Sequence, residues 1–479
     1  MISQKEQKYI DRIAQLEHEL SVLKKLIFGS KRERFVPDDI PGQGKLFSDI
    51  ETGNEPLEEE EQQITYNRKK SKATAKRKTL EVSMPAHLER VEETIEPDQK
   101  QESSKRIGEF VTEILEYKPA ELFIRKIIRP KYATGSGEVI IAPMPELPLP
   151  KANVGASLLA KMIVDKFADH LPFYRQLKRF KREGVIIAES TYNGWYRQVS
   201  DLLEPLYETL VKQTTNTDYL KADESPIPVQ TSDKKGVTHK GYQWVYENPA
   251  KKIIAFQYHK SRAKEAPDEM LKNFKGSLQT DGYAAYNHFE KDKKIKLLAC
   301  MAHARRKFDE AKNNDKVRSE HVLLLIQRLY AIERNAKEQK MTPDQRYLLR
   351  KKKAMPILEE LHNYLLKQKD RVIPKSSIGK AIAYMLNLWH RLIRYTENGK
   401  YDIDNNSIEN KIRPLALGRK NYLFAGFHES AQRTAMMYSF LGTCALNDVN
   451  PEKWLEQTIS KIATYSANKL YELLPGQVV

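Results

Sequence analysis

A mixed α/β core, broken by a long helical segment and preceded by smaller modules, is the fold class that this chain of 479 residues predicts. Strand-like and helix-like segments alternate between residues 216 and 310 after a leading strand meander, the pattern of a mixed sheet flanked by helices. A helical stretch with strong capping signals then separates that region from a short return to the core at 401–445. Three acidic residues, Asp223, Asp281 and Glu409, sit in separate apolar-flanked settings on either side of the interruption.

The balance of 81 Lys+Arg against 64 Asp+Glu leaves a net charge of +17, a surface that attracts polyanions, of which nucleic acid is the commonest. No stretch approaches the roughly 18 uninterrupted apolar residues of a membrane-spanning helix. The first residues, MISQKEQKYIDRI, carry charge throughout and lack the apolar core of a signal peptide. A cytoplasmic, nucleoid-associated protein is therefore expected, with no membrane partner. Two cysteines, Cys300 and Cys444, exclude a disulfide framework, and no C-x-x-C pair offers a cysteine zinc site.

The elements follow in order. In residues 1–30, Tyr9, Ile13, Leu16, Leu20, Leu23 and Ile27 form a heptad seam, which reads as a short coiled coil or as one amphipathic helix packed on its own domain. Residues 31–85 read as a charged, disordered linker, with Pro37, Pro41, Gly42 and Gly44, an acidic block at Glu58–Glu61 and a basic block at Arg68–Lys78. Residues 86–150 turn strand-like in EFVTEIL (109–115) and LFIRKII (122–128), a small β module closed by the extended APMPELPLPK (142–151).

Residues 151–215 predict three helices, VGASLLAKMIVDKFADH, FYRQLKRFKREG ending at Gly184, and STYNGWYRQVSDLL capped by Ser190. That is a helix-turn-helix-like pattern, and Arg175, Lys178, Arg179, Lys181, Arg182 and Arg197 make it basic; DNA contact through Arg175, Lys178, Arg179 and Arg182 competes with a solvated basic face on an ordinary bundle. In residues 216–310, DYLKADESPIPV, Tyr242–Tyr246 and Ile253–Tyr258 read as three strands, the last two joined at Asn248-Pro249. APDEMLKNF is a short helix, GSLQTDGYAAYN a strand entering a turn, and KIKLLACMAHARRKFDEA a strand entering a basic helix. A leading meander followed by this alternation fits a ribonuclease-H-like core.

Residues 311–400 form the helical insertion. Thr342-Pro343-Asp344-Gln345 combines an N-cap, a proline in the first turn and a capping-box partner. Ile378, Ile382, Met385, Trp389 and Leu392 keep helical spacing until Asn398-Gly399. The second part of the core, 401–445, contains DIDNNSIEN, in which Asn406 or Ser407 is placed to cap the helix carrying Glu409. A helical segment, 446–479, completes the chain.

In such a core the first strand lies centrally with the fourth beside it, so Asp223 and Asp281 become neighbours and the insertion absorbs the distance to Glu409. Packed carboxylates repel and raise one another's pKa, and two Mg²⁺ or Mn²⁺ ions about 3.5–4 Å apart relieve this while serving phosphoryl transfer. Each acid has a plain alternative: Asp281-Gly282 as a turn, Asp223 as a cap, Glu409 as a solvated helix residue. Glu224 and Asp404 compete, although in an extended 222–225 segment Glu224 faces away from Asp223 and leaves the cluster, and Asp404 can cap a turn or pair with Arg413. Arg305, Arg306 and Lys307 after the fifth strand, and Arg413, Arg419 and Lys420 after Glu409, are candidate phosphate clamps or solvated charges. His303 is a proton-transfer candidate or a structural histidine.

KADESPIPV, QTDGYAAY, MAHARRKF, DIDNNSIEN and RPLALGRKNYLFAG resemble the insertion-sequence-66 family of bacterial DDE transposases. LKKLIFGSKRERF, KFADHLPFYRQ, LGTCALNDVNPEKW and NKLYELLP extend the resemblance over nearly the whole chain. It implies a catalytic, metal-binding triad on Asp223, Asp281 and Glu409 in a ribonuclease-H-like core, and recognition of terminal inverted repeats and target DNA. Expected partners are DNA, further copies of the chain and accessory proteins of the same element. The family's cysteine zinc module has no counterpart here, since EPDQKQESSKRIGEF and RPKYATGSGEVII contain no cysteine, so zinc is not expected. Two rival readings are a nuclease or resolvase that hydrolyses without joining, and a non-catalytic DNA-binding protein.

Overall fold

The computed structural model describes residues 122–124, 131–133, 139–141, 147–150, 152–230, 237–291 and 294–477. The heptad seam, the charged linker with its basic block, and the strand expected at 109–115 lie outside them. The chain divides into two units, 1–144 and 145–479. In the first unit, β1 (Lys131–Ala133) and β2 (Val139–Ile141) form an antiparallel pair, and residues 122–124, expected in a strand, have no regular structure.

The second unit begins with three helices, α1 (Ala156–Phe167), α2 (Phe173–Arg182) and α3 (Glu189–Thr215). Gly184, at φ +82°, takes the left-handed conformation that closes α2. Ser190 does not cap α3: the helix starts one residue earlier, with Ala188 at the cap, and runs past Pro205 to Thr215. Tyr192, Tyr196, Val199, Leu203, Leu206 and Leu210 give α3 a buried face, and that tertiary packing extends it beyond its local signals.

A five-stranded mixed sheet follows, built from β3 (Tyr219–Gln230), β4 (Thr238–Asn248), β5 (Ile253–His259), β6 (Gly276–Thr280) and β7 (Ile295–Ala299). Its order is β5-β4-β3-β6-β7, so the first strand is central and the fourth lies beside it. β3–β4 and β4–β5 are antiparallel, whereas β3–β6 and β6–β7 are parallel. The pairing of β3 with β6 stops at Lys221–Gln279, and beyond it no strand among the described residues lies on that side of β3. Pro226 and Pro228, which have no N–H to offer a neighbour, fall in this stretch, where Ala425 bonds instead to Pro228 and Gln230.

Helix α4 (Glu265–Leu271) connects β5 to β6, and α5 (Met301–Glu310) leaves β7. The insertion comprises α6 (Lys316–Glu338), α7 (Pro343–Leu349), a π turn at Arg350–Ala354, α8 (Met355–Lys369), α9 (Ser377–Asn387) and α10 (Trp389–Ile393). The Thr342–Gln345 capping box is present, while the segment expected as one helix through Leu392 breaks at Leu388. The insertion packs its own apolar core against α5 and the end of β7, separate from the larger core around the sheet. Buried Arg350 ties it together: its guanidinium is bidentate on Glu333 at 2.7 Å and donates to the carbonyls of Tyr395, Asn398 and Tyr401.

The chain returns through α11 (Asn406–Tyr422), α12 (His428–Leu446) and α13 (Pro451–Lys461). α12 covers the edge strand β5, where the hydroxyls of Ser439 and Thr443 accept from the N–H groups of Phe256 and Ile254. That satisfies outward-facing amides that would otherwise template another strand. No described helix is long and apolar enough to cross a membrane.

Candidate active site

Register places the first two acids. Tyr219, Leu220 and Lys221 of β3 pair with Ser277, Leu278 and Gln279 of β6, and the same offset carried two residues further sets Asp223 beside Asp281. β6 ends at Thr280, and Gly282 turns the chain at φ +90°, where a Cβ would lie 2.7 Å from Leu388. Asp281 Oδ1 accepts from the Tyr283 N–H at 2.7 Å, and its carbonyl from the Tyr384 hydroxyl at 2.8 Å. The turn reading of Asp281-Gly282 is thus correct, and the turn aims the carboxylate at β3.

Oxygens of Asp223, Glu224 and Asp281 lie within 4.8 Å of one another. This corrects the expectation that Glu224 leaves the cluster. The segment is extended, as that argument required, but past Lys221 no strand among the described residues walls off the β6 side, and the carboxylates meet around the open strand. Glu224 also accepts from Arg262 Nε at 2.7 Å, and Arg262 stacks on Tyr283, 3.7 Å from its ring centroid. Arg262 and Tyr283 were not anticipated; the acidic doublet and the aromatic after Asp281-Gly282 were their only traces in the sequence.

Glu409 sits in the first turn of α11. Neither Asn406 nor Ser407 caps that helix. The cap position is Asn405, whose side-chain amide donates to the Ala222 carbonyl at 2.9 Å, while its N–H reaches Cys300 Sγ. Ser407 instead links Lys221 to Glu247. Asp404 accepts from Tyr330 and from the Asn406 N–H, so it caps a turn. Among the described residues, no group of ligand atoms within 4.8 Å of one another holds all three of Asp223, Asp281 and Glu409; Glu409 groups with His303 and Cys300. Its oxygens are 3.7 Å from His303 Nδ1 and 3.6 Å from Arg306, and its charge acts on Asp223 as well.

Burial, then the neighbouring Glu224, Asp281 and Glu409, holds the Asp223 carboxyl well above the usual carboxylate range, against a bond from the Glu224 N–H. Burial and Asp281 push Glu224 up to about 7, with Arg262 opposing. Burial lowers His303 despite Glu409 and Asp281, and pushes the Cys300 thiol up to about 12. Below the site, burial works against ionisation of Asp402, but Lys221 and Arg346 outweigh it and hold its carboxyl below the usual range.

The donor set suits a hard divalent cation. It is made of carboxylate oxygens, two of them, Glu224 Oε2 and Glu409 Oε1, buried without a hydrogen-bond partner, and mutual repulsion disfavours ionisation until positive charge arrives. The protonated Cys300 is a poor ligand for such an ion.

The basic residues divide. Arg306, exposed over 56% of its side chain, reaches Glu409 from α5, followed by exposed Lys307 and preceded by half-buried Arg305. Arg413 and Lys420 are exposed on α11, whereas Arg419 is half-buried and donates to the Pro226 carbonyl. Arg419 and Lys420 line a groove of about 460 Å³ with Pro226, Pro228, His239 and Lys240. On α2, Arg175, Lys178 and Arg182 are exposed, but Arg179 pairs with buried Asp165.

The family model described as Transposase IS66 family matches residues 151–433. The IS66 C-terminal element matches 439–475, and a region described as Transposase C of IS166 homeodomain matches 15–92. The uncharacterized protein y4hP of Sinorhizobium fredii is 31% identical over 400 residues, covering 78% of this chain and 71% of that protein. The uncharacterized protein y4jD of the same organism is 29% identical over 487 residues, covering 97% and 94%. A match running from α1 through Asp223, Asp281 and Glu409 into α12 means that the chain belongs to the IS66 transposase family.

Proposed function

We propose that the protein cleaves a phosphodiester at the ends of its insertion sequence, with water as nucleophile, and joins the freed 3′-OH to a target phosphodiester by a second in-line displacement. In each step one P–O bond forms as another breaks, so no covalent intermediate with the protein is needed. The observation that carries this reading is the convergence of Asp223 and Asp281 at neighbouring parallel strands in a chain of a transposase family.

Asp223 and Asp281 would hold Mg²⁺ or Mn²⁺ between them, with Glu409 turning from His303 and Arg306 to complete the set. The cations, when bound, lower the pKa of water and offset charge on the attacking and leaving oxygens. Arg306 stands exposed beside Glu409, and Lys307 exposed next to it on α5, where a DNA phosphate can reach them. His303, with its pKa lowered by burial and its Nδ1 3.7 Å from Glu409 Oε1, is the candidate to exchange a proton there. A mixed sheet with its first strand central and its fourth alongside supports the ribonuclease-H-like description.

The test uses the full chain with duplexes carrying the element's terminal repeats, some pre-cut, in Mg²⁺ or Mn²⁺. Joined products from pre-cut ends are expected. Hydrolysis alone would reduce the activity to that of a nuclease, and binding without cleavage would leave a DNA-binding protein.

A further inference from the structure

Glu224 has a structural problem that its visible partner does not solve. Its side chain is only 2% exposed. Oε1 takes both contacts from Arg262, and Oε2 is buried with no hydrogen-bond partner among the described residues. A buried carboxylate oxygen left bare costs free energy that a well-formed ion pair would recover. Arg262 does not turn to cover it, because its guanidinium is held elsewhere: it stacks on Tyr283, whose hydroxyl donates to the Arg262 carbonyl at 3.0 Å and whose N–H donates to Asp281 at 2.7 Å.

Charge counting points the same way. Glu224, Asp223 and Asp281 bring oxygens within 4.8 Å of one another, and the guanidinium on this group is that of Arg262. Once all three are ionised, their charges against one positive among the described residues leave an excess of two, the charge of one divalent cation.

Resting on the metal-dependent reading above, we infer that Glu224 is a fourth acidic ligand of the cation site, its bare Oε2 facing the ion shared by Asp223 and Asp281. Arg262 is a positioning residue. It holds Oε1 so that Oε2 points inward, and it competes electrostatically with the ion. If Glu224 served only to anchor Arg262, removing either partner would have the same effect on cation affinity. As a ligand and its competitor, the two have opposite effects.

The experiment is Mn²⁺ titration of the full-length protein without DNA, read by electron paramagnetic resonance of free Mn²⁺, for wild type, Asp223→Asn, Glu224→Gln and Arg262→Gln. Circular dichroism checks each fold, and Glu224→Asp, which keeps a carboxylate one methylene shorter, replaces Glu224→Gln should that variant misfold. Glu224→Gln should weaken Mn²⁺ binding at least tenfold, Glu224→Asp by less, and Arg262→Gln should tighten it. Affinity within twofold of wild type for Glu224→Gln, or equal losses in Glu224→Gln and Arg262→Gln, would overturn the inference while Asp223→Asn still abolished binding. A wild type that takes up no Mn²⁺ would overturn this inference and the metal-dependent reading together.

Discussion

The side-chain amide of Asn405 donates to the carbonyl of Ala222 at 2.9 Å, fastening the start of the helix that carries Glu409 to the strand that carries Asp223. The two residues are 183 positions apart, and the bond is buried. It is one of several bonds that join the two halves of the candidate site, with Lys221–Ser407 and the Asn405 N–H to Cys300 beside it.

Replacing Asn405 with alanine should therefore act on both stability and chemistry. Leaving the Ala222 carbonyl buried and unsatisfied costs about 1–3 kcal/mol, measurable as a lower urea midpoint. DNA cleavage per folded molecule should fall as well, since Glu409 loses its register to Asp223. A variant that loses stability but keeps full specific activity would show that other contacts position α11.

The acids themselves should separate folding from activity. Asp223→Asn, Asp281→Asn and Glu409→Gln remove charge without changing shape. Each should reduce Mg²⁺-dependent strand cleavage at least ~100-fold, the upper range for loss of groups that merely support a metal ligand. Asp223→Asn should also melt at a higher temperature than wild type in EDTA, because it deletes a charge that burial and the neighbouring carboxylates oppose. Retained cleavage in any of the three would remove that residue from the catalytic set.

Stability should depend on pH in the unusual direction for carboxylates. Glu224 titrates at about 7 in the folded chain against an ordinary 4.5, so between those values the folded state holds more protons than the unfolded state. Its contribution is without penalty below 4.5 and becomes fully unfavourable above about 7; Asp223 acts in the same sense. Calorimetry in EDTA should show this destabilising contribution on going from pH 5 to pH 8 as the difference between wild type and Glu224→Gln. Added Mg²⁺ should raise the melting temperature more at pH 8 than at pH 5. An equal Mg²⁺ effect at both values would detach the cation from these groups.

Arg350 offers a test of the insertion. Its guanidinium meets Glu333 and three carbonyls in a fully buried setting, so Arg350→Met leaves Glu333 short of a partner, with Arg346 remaining. A loss of about 3–5 kcal/mol in denaturant unfolding is expected. A change below about 1 kcal/mol would mean that Arg346 alone satisfies Glu333.

Much of this was legible in the chain. Alternation in GYQWVYENPAKKIIAFQYH, the Thr342–Gln345 capping box and the Asp281-Gly282 turn are local signals, written within a few residues by side-chain period and backbone sterics, and each element formed where expected. The chain order of Asp223, Asp281 and Glu409 likewise needed no coordinates. What only the tertiary structure decided is which atoms meet. Alternation along β3 sends Glu224 away from Asp223, yet β6 stops short and opens the edge around which it returns. Asn405 took the cap position with its side chain on the Ala222 carbonyl, while Asp404 holds the Asn406 side chain and Lys221 and Glu247 hold Ser407. Local pattern depends on neighbours in sequence, whereas these outcomes depend on where other strands end and which buried polar groups need partners, and that information is spread over the whole chain.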